Sequence, residues 1–196
     1  MIEQLIVPGT NRDYALLIKV GQDGSACGFQ NKYLNLAHEI HDKYGFTVVC
    51  SPNPDGVTSQ IADDIKFVNT LFKIQNSSES QLQSPQILFM GMSKGASLGC
   101  IEGCKISQIT RYLLLNPPMM INLPKICHVA KTFRGEMMTF VFGSEDPSVK
   151  ESELLKLHER ENLKVVIVPG QDHNFSKDDF NLMTLVEKYL LCDLNL

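Results

Sequence analysis

The sequence predicts an α/β fold: a mostly parallel sheet of about seven strands with helices on both faces. Three observations carry that expectation. Short apolar or β-branched runs alternate with longer amphipathic segments along the whole chain, the pattern of strand–helix–strand units joined by right-handed crossovers. Several of the short runs, such as Ala15 to Val20 and Gln86 to Gly91, are almost continuously apolar, as strands covered on both faces are. The length, 196 residues, suits one domain spanning 1–196, which buries roughly 70% of the surface that its unfolded chain exposes.

Taken in order, Leu5-Ile6-Val7 and Ala15 to Val20 are the first two strands. Pro8-Gly9-Thr10-Asn11 between them predicts a hairpin, and with it one antiparallel edge strand. A helix near 29–44, a strand at Phe46 to Cys50 and a helix near 60–74 follow. Gln75 to Gln83 is crowded with Ser and Gln and reads as a polar surface loop. Next come strand Gln86 to Gly91, a helix near 94–104, strand Arg111 to Leu115 and a helix near 122–132. Strand Met138 to Phe142, a helix near 149–160, strand Lys164 to Val168 and a helix near 178–191 complete the chain.

Composition excludes several classes. Hydrophobic residues make up 43% of the chain, too many for a disordered, collagenous or coiled-coil protein. Eighteen Lys and Arg stand against 22 Asp and Glu, and the basic residues are scattered. That balance argues against nucleic acid or an anionic membrane as partner. The apolar stretches fall far short of the roughly 20 residues that span a bilayer. No basic segment followed by an apolar one opens the chain, so the expected location is cytoplasmic. The six cysteines, at 27, 50, 100, 104, 127 and 192, form no CxxC pair and read as reduced, small hydrophobes. The glycosylation-type sequons at Asn76 and Asn174 carry no meaning in such a compartment.

In an open parallel sheet, ligands sit beyond the carboxyl ends of the strands. One such end reads Ile87-Leu88-Phe89-Met90-Gly91-Met92-Ser93-Lys94-Gly95-Ala96, a G-x-S-x-G between an apolar strand and a helix. A nucleophile on a sharp strand-to-helix turn needs small neighbours on either side, and the amides of the following helix face any developing oxyanion. Serine at its ordinary acidity needs a base. Of the five histidines only His173, in Val168-Pro169-Gly170-Gln171-Asp172-His173, follows directly on a strand end. Strand Met138 to Phe142 runs into Gly143-Ser144-Glu145-Asp146-Pro147 and delivers carboxylates to the same edge. Asp146 is the favoured third member, with Glu145 its close rival, and Asp172 points away from the ring of its neighbour.

This order of Ser, Asp and His along strand ends resembles the α/β-hydrolase family over essentially the whole chain. The resemblance implies a serine hydrolase acting on a small carboxylic ester or thioester through an acyl-enzyme. It places Ser93, Asp146 and His173 as the catalytic triad and the Lys94 amide as one oxyanion donor. The second donor falls in Val20-Gly21-Gln22-Asp23, where the family often has His-Gly; Gln22 is the choice and Asp23 the alternative. Only about twenty residues separate Leu115 from Met138, where many relatives insert a helical lid, so no lid domain is expected. The site is then open and shallow, lined by Phe29, Met92, Met119, Met120, Val149 and Phe175. No cofactor or metal is implied. Lys94, a cation in the first turn of a helix, reads most simply as solvated, with attraction of an anionic substrate tail as the functional reading. An acyltransferase with the same triad, and a non-catalytic binding protein that keeps the fold, are the alternatives.

Overall fold

The computed structural model describes residues 3–56, 60–75, 84–178 and 180–194. Its strands are β1 (Leu5–Val7), β2 (Tyr14–Gln22), β3 (Thr47–Asn53), β4 (Gln86–Met92), β5 (Ile109–Leu115), β6 (Met137–Gly143) and β7 (Leu163–Val168). They form one sheet in the order β1-β3-β2-β4-β5-β6-β7, parallel throughout except for β1. The order reverses between β2 and β4, which makes the carboxyl ends of these two strands the point where a crevice opens.

The apolar runs of the central strands are continuous because those strands bury both of their sides. On β2, Ala15 and Leu17 face one core while Leu16, Ile18 and Val20 face the other. Phe89 on β4 and Phe140 on β6 join the first; Met90, Leu113 and Val141 join the second. Helices α2 (Ile61–Gln75), α3 (Lys94–Ile101), α4 (Met119–Thr132) and α5 (Ser152–Lys156) cover the first face. Helices α1 (Lys32–Tyr44) and α6 (Met183–Tyr189) cover the second. Between β5 and β6 the chain holds α4 and its short connections. Among the described residues no helix is long and apolar enough to cross a membrane.

The expected hairpin does not form. β1 pairs antiparallel with β3, so the antiparallel strand is at the edge but β3 lies between it and β2, its expected hairpin partner. The turn residues are tied to the start of β3 instead: Thr10 and Asn11 donate their amides to Gly45 O, both at 2.8 Å, and Gly9 donates to Thr47 Oγ1 at 3.0 Å. The chain therefore passes the end of β3 before it enters β2. The helix expected near 149–160 is one short element, α5, flanked by turns. The helix near 94–104 stops at Ile101 and resumes as a 3-10 turn at Gly103–Lys105. Most of the polar segment Gln75 to Gln83, with Asn76, lies outside the described residues.

Lys19, in the middle of β2, is fully buried. Its ammonium pairs with Asp64 of α2 at 2.8 Å and donates to Ser51 Oγ at 2.9 Å and Pro52 O at 3.1 Å. A buried ion pair of this kind locks α2 onto the sheet, because removing either partner would strand a charge away from water.

Candidate active site

β4 delivers Ser93 to the carboxyl rim in a backbone conformation, φ 53° and ψ −120°, that residues with a side chain rarely adopt. The surroundings enforce it. Ser93 N donates to Leu115 O at 2.8 Å. A Cβ at Gly91 would lie 2.6 Å from Ala96 Cα, and one at Gly95 would lie 2.2 Å from Lys19 O. Only glycine at both positions lets α3 fold back this tightly against β2 and β4. The Ser93 hydroxyl thus stands at the start of α3, where the first-turn amides, that of Lys94 included, have no partner within the helix.

His173 Nε2 lies 3.0 Å from Ser93 Oγ, and His173 Nδ1 pairs with Asp146 Oδ2. The Asp146 side chain is almost wholly buried, while the histidine ring is half-buried. The other carboxylate oxygen, Asp146 Oδ1, accepts the Ser148 amide at 2.7 Å. Glu145, one residue earlier, is exposed and pairs with Lys177. Asp172 turns away from the imidazole: its carboxylate accepts the amides of Asn174 and Ser176, each at 3.0 Å, and the Ser176 hydroxyl at 2.6 Å. Burial works to raise the pKa of Asp172, but those three hydrogen bonds and Lys177 outweigh it and hold the group below its usual range.

Asn116 went unremarked in the sequence. It is fully buried at the end of β5, and its φ of 45° is again unusual. Its Nδ2 donates to His173 O at 2.8 Å and to Asp172 O at 3.1 Å, and its Oδ1 accepts the Gly143 amide at 2.9 Å. One side chain therefore fastens the histidine loop to the strand that carries the acid. The available signal was positional: Asn116 follows an apolar strand and precedes Pro117-Pro118, at the same rim as Ser93.

The loop after β2 lies against the nucleophile. A Cβ at Gly21 would stand 3.3 Å from Ser93 Cβ and 3.8 Å from Ser93 Oγ. Asp23, the alternative second donor, spends its amide on Asn53 O at 3.0 Å. Gln22 is held by its side chain, which accepts from Lys94 Nζ at 2.5 Å and donates to Asp55 Oδ1 at 2.7 Å. The Lys94 ammonium is thus neither free in solvent nor turned to the hollow beside Ser93; it braces the loop.

That hollow has a volume of about 250 Å³, and Phe29, Lys32, Tyr33 and Met92 stand around Ser93 and His173 in it. Of the other expected lining residues, the structure does not bring Met119 or Phe175 to it. Met119 is fully buried in the core under α4, and Phe175 is 3% exposed in the opposite core. Val149 packs on the first core, and Met120 is exposed on α4 rather than at this hollow.

Sheet order, helix placement and the strand–turn–helix at Ser93 together define an α/β-hydrolase fold. No family model matches the sequence, and no curated protein matches it either. Solved structures do. Est1E from Butyrivibrio proteoclasticus is similar at TM-score 0.63 and 13% identity, over 94% of this chain and 88% of that one. A dienelactone hydrolase from Anabaena variabilis is similar at TM-score 0.64 and 13% identity, over 95% and 91%. An alpha-beta serine hydrolase homologue from Coxiella burnetii is similar at TM-score 0.57 and 17% identity, over 95% and 88%. At these identities the likeness is one of fold.

Proposed function

We propose that this protein is a serine hydrolase that cleaves carboxylic ester or thioester bonds of small molecules through Ser93, His173 and Asp146. The observation that carries the reading is the unbroken relay from Ser93 Oγ through both ring nitrogens of His173 to a buried carboxylate. Three side chains more than 25 residues apart do not line up this way for packing reasons alone, and Ser93 sits in a costly backbone conformation besides.

In the first half-reaction Ser93 Oγ bonds to the acyl carbon while its proton passes to His173 Nε2. The carbonyl oxygen becomes an oxyanion facing the amides of Lys94 and Gln22. Collapse breaks the bond to the alcohol or thiol, which takes the proton from His173. A water molecule then attacks the acyl-enzyme as His173 accepts its proton; His173 returns that proton to Ser93 Oγ as the acyl–oxygen bond breaks, and the carboxylic acid leaves. Asp146 accepts the Nδ1–H of His173 throughout, fixing the tautomer and balancing the imidazolium. The esterase and hydrolase names among structures of this fold favour hydrolysis over transfer to a second acceptor. The six free thiols suit a reducing compartment, in keeping with a cytoplasmic location.

A fluorophosphonate probe and short 4-nitrophenyl esters test the reading. The wild type is labelled at Ser93 and turns the esters over, and Ser93→Ala loses labelling and about a thousandfold or more of the turnover. Equal turnover in Ser93→Ala, or an unlabelled wild type, rejects the assignment.

A further inference from the structure

We propose that the ester or thioester taken by this site carries a carboxylate, or an equivalent oxyanion, that pairs with the ammonium of Lys32. The inference rests on the serine-hydrolase reading and names the substrate class for it.

Lys32 opens α1, and its side chain lines the same hollow as Ser93 and His173. The ammonium donates to Asn174 O at 2.7 Å and stands 5.0 Å from the centre of the Tyr33 ring. Those contacts fix where it points and leave donors unspent, since an ammonium has three. Other lysines of this chain meet a carboxylate: Lys19 with Asp64, Lys43 with Glu187, Lys156 with Glu153 and Lys177 with Glu145. Among the described residues no carboxylate comes within 4.0 Å of Lys32. Asp172 acts on it only from a greater distance, with its oxygens already taken by Asn174 and Ser176.

The rest of the hollow points the same way. Although the chain carries a net charge of −4, no acidic residue is among those that line it. Burial pushes the Lys32 ammonium down from its ordinary value, the mark of a charge partly withdrawn from water without an adequate counter-ion. A bound carboxylate would supply that counter-ion through a charge-assisted hydrogen bond. A neutral chain of the same length would cover the ammonium and leave it unpaired, so the group discriminates in both directions. Tyr33 lies beside the ammonium and Phe29 lines the same hollow, aromatic surface that fits an apolar spacer between the reacting carbonyl and the charge.

Two matched ester pairs test this at neutral pH. Mono-4-nitrophenyl adipate against 4-nitrophenyl hexanoate puts the charge on the acyl side, and 4-acetoxybenzoate against 4-acetoxybenzamide puts it on the alcohol side. The expected result is a preference in kcat/KM of about tenfold for the anionic member of at least one pair. Lys32→Met and Lys32→Gln collapse that ratio through KM, and Lys32→Arg keeps it; thermal melts of each variant report the fold. The same esters titrated calorimetrically into Ser93→Ala read binding without turnover, with the same preference and the same dependence on Lys32. No preference in either pair, or a preference that survives Lys32→Met, overturns the inference while hydrolysis itself stands. A Lys32-dependent preference in binding with no turnover and no fluorophosphonate labelling in the wild type keeps the anion site and overturns the hydrolase reading.

Discussion

Two adjacent acids follow β6, and burial separates their roles. Both oxygens of Asp146 are committed, one to His173 Nδ1 and one to the Ser148 amide. The carboxylate therefore cannot rotate without losing a bond. In Asp146→Asn the carbonyl oxygen keeps the Ser148 amide and the NH2 group turns to Nδ1. The imidazole is then forced to carry its proton on Nε2, where it can no longer accept one from Ser93. The expected loss is about 10³- to 10⁴-fold in kcat for short 4-nitrophenyl esters. Glu145, exposed and paired with Lys177, should tolerate Gln with kcat changed less than about threefold. If Glu145→Gln is instead the crippled variant, the orienting acid is one residue earlier than its burial indicates.

At the scale of elements, the site depends on how closely the ends of β5, β6 and β7 approach. A Cβ on Gly143 would lie 2.4 Å from Gln171 O and 2.6 Å from Asp172 O, both backbone atoms that cannot swing aside. Gly143→Ala therefore displaces the loop that carries His173 and breaks the Asn116 bridge between them. Displacement of about 1 Å lowers kcat roughly a hundredfold. The strain costs about 1–3 kcal/mol of stability in urea unfolding. Unchanged kcat in a folded Gly143→Ala would mean that the loop adapts without moving the imidazole. This seam also marks the limit of what the sequence discloses. Strands are legible because both faces are buried and the apolar run says so locally, and Ser93, Asp146 and His173 are legible because each follows such a run. Asn116, Lys32 and Lys19 act through partners 27 to 142 positions away, and no local pattern announces those partners. Phe175 misleads for a related reason. It follows the histidine, but a φ of 50° turns it inward onto Phe180, with ring centres 5.5 Å apart. The edge pairing of β1 likewise depends on Gly45, beyond the reach of the turn residues alone.

For the whole molecule, the buried weak acids set the response to pH. Burial pushes the Cys50 thiol up to about 12 and the Cys100 thiol well above its ordinary value; Cys104 and Cys127 rise less. The Tyr33 and Tyr112 phenols are raised by burial too. Each of these groups keeps its proton in the fold at a pH where the unfolded chain has lost it. The native state then binds more protons than the unfolded one, so stability falls as pH rises. The contribution is complete below the unfolded thiol value, about 8.5, and drains away above it. For Cys50 alone the loss reaches about 2 kcal/mol by pH 10, and Cys100 adds to it in the same direction. Lys32, lowered by burial, works in the opposite sense, since the fold releases its proton first, but it is one group against several. On the acid side Asp172 and Glu187, both near the surface, are held below their usual range, and each contributes a small stabilisation that is lost as pH falls through about 4. Urea midpoints measured with reductant from pH 4 to 10.5 should therefore trace a lopsided curve, level near neutrality and steep on the alkaline limb. Cys100→Ala should flatten that limb above about pH 8.5 and leave a small cavity at all pH values. An alkaline limb as steep in Cys100→Ala as in the wild type would mean that the thiol is not sealed between α3 and the sheet.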